Sequence, residues 1–234
     1  MGSILIFMGA LLAIGMWWLA RQGIMTKPWL EQGIAATYVP TRSNPPAVAR
    51  TGLRVFLAVV GSLFALFISA YAIRMQMPDW RDVPLPNVLW LNTGMLVLSS
   101  IALHEAGKSA RRGEEEVLKL GLLAAGATAL AFLSGQILAW RQLTADGYLL
   151  TSNSANAFFY VLTGAHGLHV IGGLVALGRT IARTWRGVPP ERLRVSVGLC
   201  ATYWHFLLFV WLLLLSILTG WAGTFIDICR QALS

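Results

Sequence analysis

The chain has 234 residues, of which 56% are hydrophobic and only 12% are charged. A soluble domain carries about twice that share of charged residues, so the composition excludes a soluble enzyme, a disordered chain and a coiled coil. The net charge of +8 comes with ten tryptophans, which suits the interfaces of a membrane protein better than a nucleic-acid surface. We therefore expect no nucleic acid among its partners.

The sequence predicts an all-α fold, a polytopic membrane bundle of six transmembrane helices. A bilayer core needs about 20 apolar residues per helix. Stretches of that kind cover residues 3–20, 51–73, 87–103, 120–140, 157–178 and 197–221. The first has no basic N-terminal flank and no clear cleavage site, so we expect a retained anchor and not a secretory signal.

The polar connection over residues 21–50 is the longest in the chain and contains four prolines, which favours an extended loop. We therefore divide the chain into residues 1–50, a transmembrane helix with a proline-containing cytoplasmic loop, and residues 51–234, the main bundle. Fourteen of the eighteen Lys and Arg residues fall on one side of the predicted spans. Because cytoplasmic loops carry the excess of Lys and Arg, both termini are predicted to face outward.

Ionisable groups inside a membrane are costly and therefore mark candidate sites. All ten acidic residues fall in loops or at helix ends, which argues against a proton relay or a cation-coupled transporter. His166, His169 and His205 are predicted to lie deep. His169 lies about 14 Å from the cytoplasmic end of its helix and His205 about 12 Å, so we expect their side chains to be able to face one another.

Two interpretations of these histidines stay open. The first is a bis-histidine haem or a metal site, since imidazole serves both. The second is interhelical hydrogen bonding by neutral imidazoles. We favour the second because no acidic partner lies beside the histidines, and a metal-bound histidine usually has such a partner or a carbonyl.

Amides and indoles supply the remaining polar candidates. Asn92 and Gln136 fall at matching depth on consecutive antiparallel spans, where they either bond to each other or are satisfied locally, and we favour local satisfaction. Trp140 is predicted to lie in the aromatic belt at the outer interface. Gly121 with Ala125, and Gly172 with Ala176, form small-residue pairs that predict close helix packing.

Five stretches of the sequence, in order, resemble subunit III of the haem–copper oxidases. The most specific are T-G-x-H-G-x-H-V, with His166 and His169, and Y-W-H-F…W, with Trp204, His205 and Trp211. The resemblance covers roughly residues 51–223 and leaves out the first span and the proline-containing loop. The five stretches are residues 56–71, 89–93, 135–140, 158–170 and 203–211.

The resemblance implies an accessory, non-catalytic core subunit of a bacterial terminal oxidase in aerobic electron transport. The complex would reduce dioxygen with electrons from cytochrome c or quinol and pump protons. Haems and copper would belong to partner subunits, none to this chain. Subunit I would be the main contact, with subunit II and bound phospholipid as further partners. The chain would lie in the bacterial inner membrane with both termini periplasmic.

The same resemblance makes eight residues candidates for lipid or subunit contact and none for catalysis or metal binding. Where the family often has acidic residues in three helices, this chain has Val60, Ala139 and Leu208, which argues against a proton antenna within the helices. The alternatives are an accessory subunit of a nitric oxide reductase and a haem-binding membrane cytochrome. The eight candidates are His166, His169, His205, Trp204, Trp211, Asn92, Gln136 and Trp140.

Overall fold

The structure is a computed structural model that describes residues 45–220. The predicted first span, most of the proline-containing loop and the C-terminal end of the last span lie outside the described residues. The sixth helix and the domain boundary at residue 50 therefore stay predictions. The described helices are α1 (Pro45–Arg74), α2 (Val88–Arg112), α3 (Glu115–Ala145), α4 (Ser154–Trp185) and α5 (Pro190–Leu218).

All five helices are long and apolar enough to cross a membrane, and residues 45–220 contain no strand. The predicted all-α membrane bundle is thus confirmed for this part of the chain. In the bundle α2 packs against α3 and α5, α4 packs against α3 and α5, and α1 lies against α4 and α5. The chain is a membrane protein.

The helices extend beyond the predicted apolar spans at several ends. α2 continues to Arg112 instead of ending at residue 103, and the polar extension contains an ion pair of Glu105 with Lys108 at 2.7 Å. Pairs three or four residues apart stabilise exposed helical turns, which apolar length alone does not indicate. α1 begins at Pro45, so the last residues of the predicted loop are helical. A proline fits the first turn because the N–H it lacks would have no partner there.

α2 and α3 form an antiparallel hairpin with a very short connection. Gly113 ends α2 with a φ of 79°, a left-handed conformation that glycine adopts without strain, and its N–H donates to the carbonyl of Ser109. Along the hairpin Gly121 faces Ala106, and Gly135 faces Asn92. In each pair the two residues lie equally far from the turn along the sequence. α2 and α3 therefore stay in the same register along the whole hairpin.

The small-residue pair Gly121 and Ala125 does mark a close approach. A Cβ on Gly121 would lie 3.0 Å from the Cβ of Ala106 and 3.1 Å from the carbonyl oxygen of Ala102. Ala125 is fully buried. The prediction for this pair is confirmed.

The second predicted pair is wrong at Gly172. A Cβ at Gly172 would meet nothing within 4 Å, whereas one on Gly173 would lie 2.7 Å from the Trp204 ring and 2.8 Å from the Tyr203 ring. One residue along a helix turns the face by about 100°. The close approach therefore falls on the neighbouring glycine.

The loops at the opposite end of the bundle are held by polar contacts. Arg74, at the end of α1, donates two hydrogen bonds to the carboxylate of Asp79, which lowers the pKa of that carboxyl below its ordinary 3.8. Asn153 donates to the carbonyl of Arg81 at 2.7 Å and joins the α1–α2 connection to the α3–α4 connection. These contacts hold the two connections at this end of the bundle.

The close approach at Gly121 predicts a sharp difference between two glycine substitutions. Gly121→Leu is expected to lower the free energy of unfolding in detergent by about 1–3 kcal/mol, because overpacking forces the backbones of α2 and α3 apart. Gly94→Leu is the control, since a Cβ on Gly94 meets nothing within 4 Å. Thermal unfolding of the two purified variants measures the difference, and equal stability would contradict the described packing.

Candidate functional site

The buried polar groups of the bundle centre on two indoles that α5 directs at α2. Trp204 is fully buried, and its Nε1 donates to Ser99 Oγ at 2.7 Å. Ser99 Oγ in turn donates to the carbonyl of Ala125 on α3 at 2.8 Å. One indole therefore joins three helices through a single hydroxyl. We use the name polar seam for the side chains that form the hydrogen bonds of α2 with α3 and α5. They are Asn92, Thr93, Ser99, Gln136, Trp204 and Trp211.

Trp211 repeats this arrangement two helical turns further along α5. Its Nε1 donates to Thr93 Oγ1 at 2.9 Å, and Thr93 Oγ1 donates back to the carbonyl of Leu89 at 2.8 Å. Residues seven apart lie on nearly the same helix face. Both indole donors of α5 thus meet hydroxyl acceptors on α2.

Asn92 and Gln136 bond to each other across α2 and α3, which is the alternative that the sequence analysis did not favour. Asn92 Nδ2 donates to Gln136 Oε1 at 3.4 Å, and both residues are buried. The Asn92 amide sits directly over Gly135, where a Cβ would lie only 1.8 Å from Asn92 Oδ1. The lack of a side chain at Gly135 therefore leaves the space that the Asn92 amide occupies. In the sequence this glycine stands directly before Gln136, which could have indicated the contact.

Trp140, which is predicted to lie in the aromatic belt, also forms an interhelical hydrogen bond. Its Nε1 donates to Thr163 Oγ1 on α4 at 3.1 Å, and Thr163 Oγ1 donates to the carbonyl of Phe159 at 2.7 Å. The indole also lies edge-on to the Tyr160 ring, with centroids 6.1 Å apart. Trp140 consequently ties α3 to α4 as Trp204 ties α5 to α2.

His166 is fully buried among aromatic rings. The ring centroids of Trp211, Phe132 and Phe64 lie 5.1, 5.7 and 6.3 Å from that of the imidazole. Within residues 45–220 neither ring nitrogen has a hydrogen-bond partner. The structure thus places His166 in an aromatic cage and shows no interhelical hydrogen bond for it.

His169 and His205 do not form the facing pair that equal depth suggested. His169 Nδ1 contacts the carbonyl oxygen of Ala165 at 2.7 Å, and its ring lies 5.4 Å from the Phe64 ring. Its own carbonyl accepts the Tyr203 hydroxyl at 2.8 Å, so the α4–α5 bond runs through backbone here. Depth along a helix does not set the direction of a side chain, and this explains the error.

His205 is exposed and lies against His104 of α2, with ring centroids 5.8 Å apart. It follows Trp204 directly, so it points about 100° away from the face that meets Ser99. His104 was not among the predicted candidates because it comes just after the predicted end of the third span, at residue 103. Recognising the polar extension of α2 would have revealed it.

Packed apolar side chains occupy the positions where the family often has acidic residues. Val60 belongs to the small cluster that α1 makes with α4 and α5, and Ala139 is fully buried in the main core. No group of three or more His, Cys, Asp or Glu side chains in the described part of the chain lies close enough to share a metal ion. The arrangement holds the helices in register.

The space above Gly135 leads to a second prediction. Gly135→Ala is expected to destabilise the protein by about 1–3 kcal/mol, because the new methyl group displaces a buried amide from its partner. Asn92→Ala in the same chain should recover part of that loss by removing the clash. Gly126→Ala serves as the control, since its Cβ would make only ordinary contacts of 3.8 and 4.0 Å. Chemical unfolding of the three variants would contradict this account if Gly135→Ala resembled the control.

The cage around His166 leads to a third prediction. His166→Leu is expected to keep the free energy of unfolding within about 1 kcal/mol of the parent, since it removes polar atoms whose burial without partners is unfavourable. Trp211→Leu, which leaves the Thr93 contact unmade and opens a large cavity, should cost about 3–5 kcal/mol. A loss at His166 as large as that at Trp211 would show that the imidazole binds a group of its own.

The chain is similar to known proteins over most of its length. The family described as "Cytochrome c oxidase subunit III" matches residues 53–223. "Cytochrome c oxidase subunit 3" of Synechocystis is 29% identical over 79% of this chain and 82% of its own. The protein of the same name from Thermostichus vulcanus is 31% identical, over 71% and 84% respectively.

A further relative is named for a different electron donor. "Cytochrome bo(3) ubiquinol oxidase subunit 3" of Pseudomonas aeruginosa is 29% identical over 69% of this chain and 79% of its own. None of these three relatives is named as part of a nitric oxide reductase. The family match extends through all five described helices and includes both indole donors of the polar seam, so the chain belongs to the cytochrome c oxidase subunit III family.

Proposed function

We propose that this chain is an accessory, non-catalytic subunit of a bacterial haem–copper terminal oxidase. The observation that carries the proposal is the family match over residues 53–223. Relatives named for both cytochrome c and ubiquinol oxidases cover most of the chain. The electron donor is a property of the assembled complex, and the proposed role is the same for either donor.

In this role the chain stabilises the catalytic subunit and does not transfer electrons. The haems and copper belong to the partner subunits, with subunit I as the main contact and subunit II as a further one. The direction of the histidine side chains supports this division. His166 is enclosed by rings, His169 contacts a carbonyl of its own helix, and His205 lies at the surface beside His104. Two axial ligands of one haem would instead both have to point at the same iron.

The hydrogen bonds of the polar seam are an argument that the chain is a rigid scaffold, whose helices keep their positions while the oxidase turns over. Lipid offers no driving force for helix association comparable to the hydrophobic effect in water, so van der Waals packing and interhelical hydrogen bonds hold such a bundle together. Here α5 is bonded to α2, α2 to α3, and α3 to α4. A rigid bundle of this kind presents a constant surface to a partner subunit and to phospholipid.

The orientation proposed from the sequence places the chain in the bacterial inner membrane with both termini periplasmic. The distribution of charge at one end of the described bundle supports it. Most of the basic residues lie at the start of α1, at the ends of α2 and α4 and at the starts of α3 and α5, which together form one end of the bundle, as expected of a cytoplasmic end. The opposite end has few basic residues, and one of them, Arg74, is paired with Asp79.

Co-purification tests the proposal. The full chain, tagged and expressed with its neighbouring genes, is expected to bring down a subunit I homologue and haem a, b or o in stoichiometric amount. The same tagged chain expressed alone is the control and should show no Soret absorption. Recovery of the chain without haem from the native membrane would overturn the oxidase role. A Soret band in the chain expressed alone would favour a membrane cytochrome instead.

A further inference from the structure

Two exposed histidines lie against each other between α2 and α5. The ring centroids of His104 and His205 are 5.8 Å apart, and the ring planes are inclined to each other by 79°. Both side chains are exposed, and within residues 45–220 no hydrogen bond reaches either ring. In that part of the chain the ring nitrogens of both residues are therefore free to act as ligands.

The distance between the two rings fits a shared metal ion. A tetrahedral Zn²⁺ that binds two imidazole nitrogens at about 2 Å holds the two ring centroids about 5 Å apart. The observed 5.8 Å requires the rings to approach by less than about 1 Å, which small side-chain rotations allow at an exposed site. The inclination of the ring planes is no obstacle, because each imidazole binds the ion within its own plane. The pair is thus close to a coordinating geometry.

A cavity of about 420 Å³ gives an ion access to both rings. It opens between α1, α2 and α5, and His104 and His205 both line it. Gly107 of α2 and Gly198 of α5 line it as well, and a Cβ on either would meet nothing within 4 Å. Because these two positions carry no side chain, they leave room for an ion together with its bound water.

The arginines of the same cavity decide which kind of ion suits it. Arg194 donates to the carbonyls of Ala110 and Arg111 at 3.1 and 3.0 Å, whereas Arg50 and Arg54 are exposed on α1. Their charge opposes a cation, and no carboxylate lines the cavity, so Mg²⁺ and Ca²⁺ lack the oxygen ligands that they need. A transition metal instead bonds to neutral imidazole nitrogens. Its open positions can take water or chloride, and the arginines favour chloride there.

Other side chains near this pair are engaged elsewhere. His166 is enclosed by aromatic rings, and His169 Nδ1 contacts a carbonyl of its own helix. Glu105, the residue after His104, forms an ion pair with Lys108 at 2.7 Å. The site therefore has two protein ligands, one on α2 and one on α5, and solvent or chloride completes the coordination.

We propose that His104 and His205 bind a divalent transition-metal ion such as Zn²⁺ between α2 and α5. On α2 the ligand lies about 7.5 Å beyond Ser99, towards the α2–α3 connection. The ion thus adds a second connection between the two helices that Trp204 and Ser99 already join. Because both ligands belong to this chain, the site does not depend on the oxidase role proposed above.

Zinc binding to the full chain in detergent, purified through a tag that contains no histidine, tests the proposal. Competition with a fluorescent zinc chelator is expected to show one bound equivalent of Zn²⁺, and saturating Zn²⁺ should raise the thermal unfolding temperature. His104→Gln and His205→Gln should each weaken the binding about tenfold or more, whereas His205→Cys, which supplies a thiolate ligand, should retain it. His169→Gln and Cys229→Ser are the controls, with affinities within about twofold of the parent.

An arginine variant distinguishes a cation from an anion in this cavity. In chloride-free buffer Arg54→Gln is expected to strengthen Zn²⁺ binding about threefold or more, because the substitution removes a repelling charge. An anion held by the same cavity would respond in the opposite direction. A weaker Zn²⁺ affinity in this variant would therefore overturn the proposal.

The binding measurements can also overturn it directly. If the parent chain binds no Zn²⁺, the site does not exist. If either glutamine variant binds Zn²⁺ as tightly as the parent, the ion is held by one imidazole or at another place. Both histidines are exposed, so thermal unfolding of the zinc-free variants should match the parent and show that they are folded. Co-purification of haem with the chain is a separate measurement, so failure of this site leaves the oxidase role standing.

Discussion

A buried indole N–H in a membrane bundle has to donate within the bundle, because lipid supplies no acceptor. Trp204 and Trp211 meet this requirement on α2, at Ser99 and Thr93. These bonds fix the rotation and the height of α5 relative to α2. Much of the remaining structure depends on that placement, since Gly173 must then accommodate the Trp204 ring, and His166 packs against the Trp211 ring.

The structure also requires that the backbones of neighbouring helices lie close together. The hydroxyl of Ser99 reaches the carbonyl of Ala125 only because small residues let α2 and α3 come together, with Ala106 against Gly121. Polar bonds and small residues therefore act together in this bundle. The proposed scaffold role rests on their combination, since neither a loosely packed bundle nor one without internal donors would keep a constant surface for a partner.

Much of the fold was predictable from the sequence because the apolar spans report membrane helices directly. The distribution of Lys and Arg and the motifs around His166 and Trp204 also pointed to one family. The sequence did not predict how each helix is rotated about its own axis. Apolar length gives no information on which side chain faces which neighbour, so His205 was paired with His169 instead of His104, and Gly172 was chosen instead of Gly173.

The short turn at Gly113 has a consequence for how the chain enters the membrane. α2 and α3 keep a single register from the turn to Asn92 and Gln136 at the far end of the hairpin. A pair of helices joined so closely is expected to enter the membrane as one hairpin. The two amides can then meet each other before either faces hydrocarbon alone, which makes the insertion of two polar spans during synthesis less unfavourable than the insertion of each by itself.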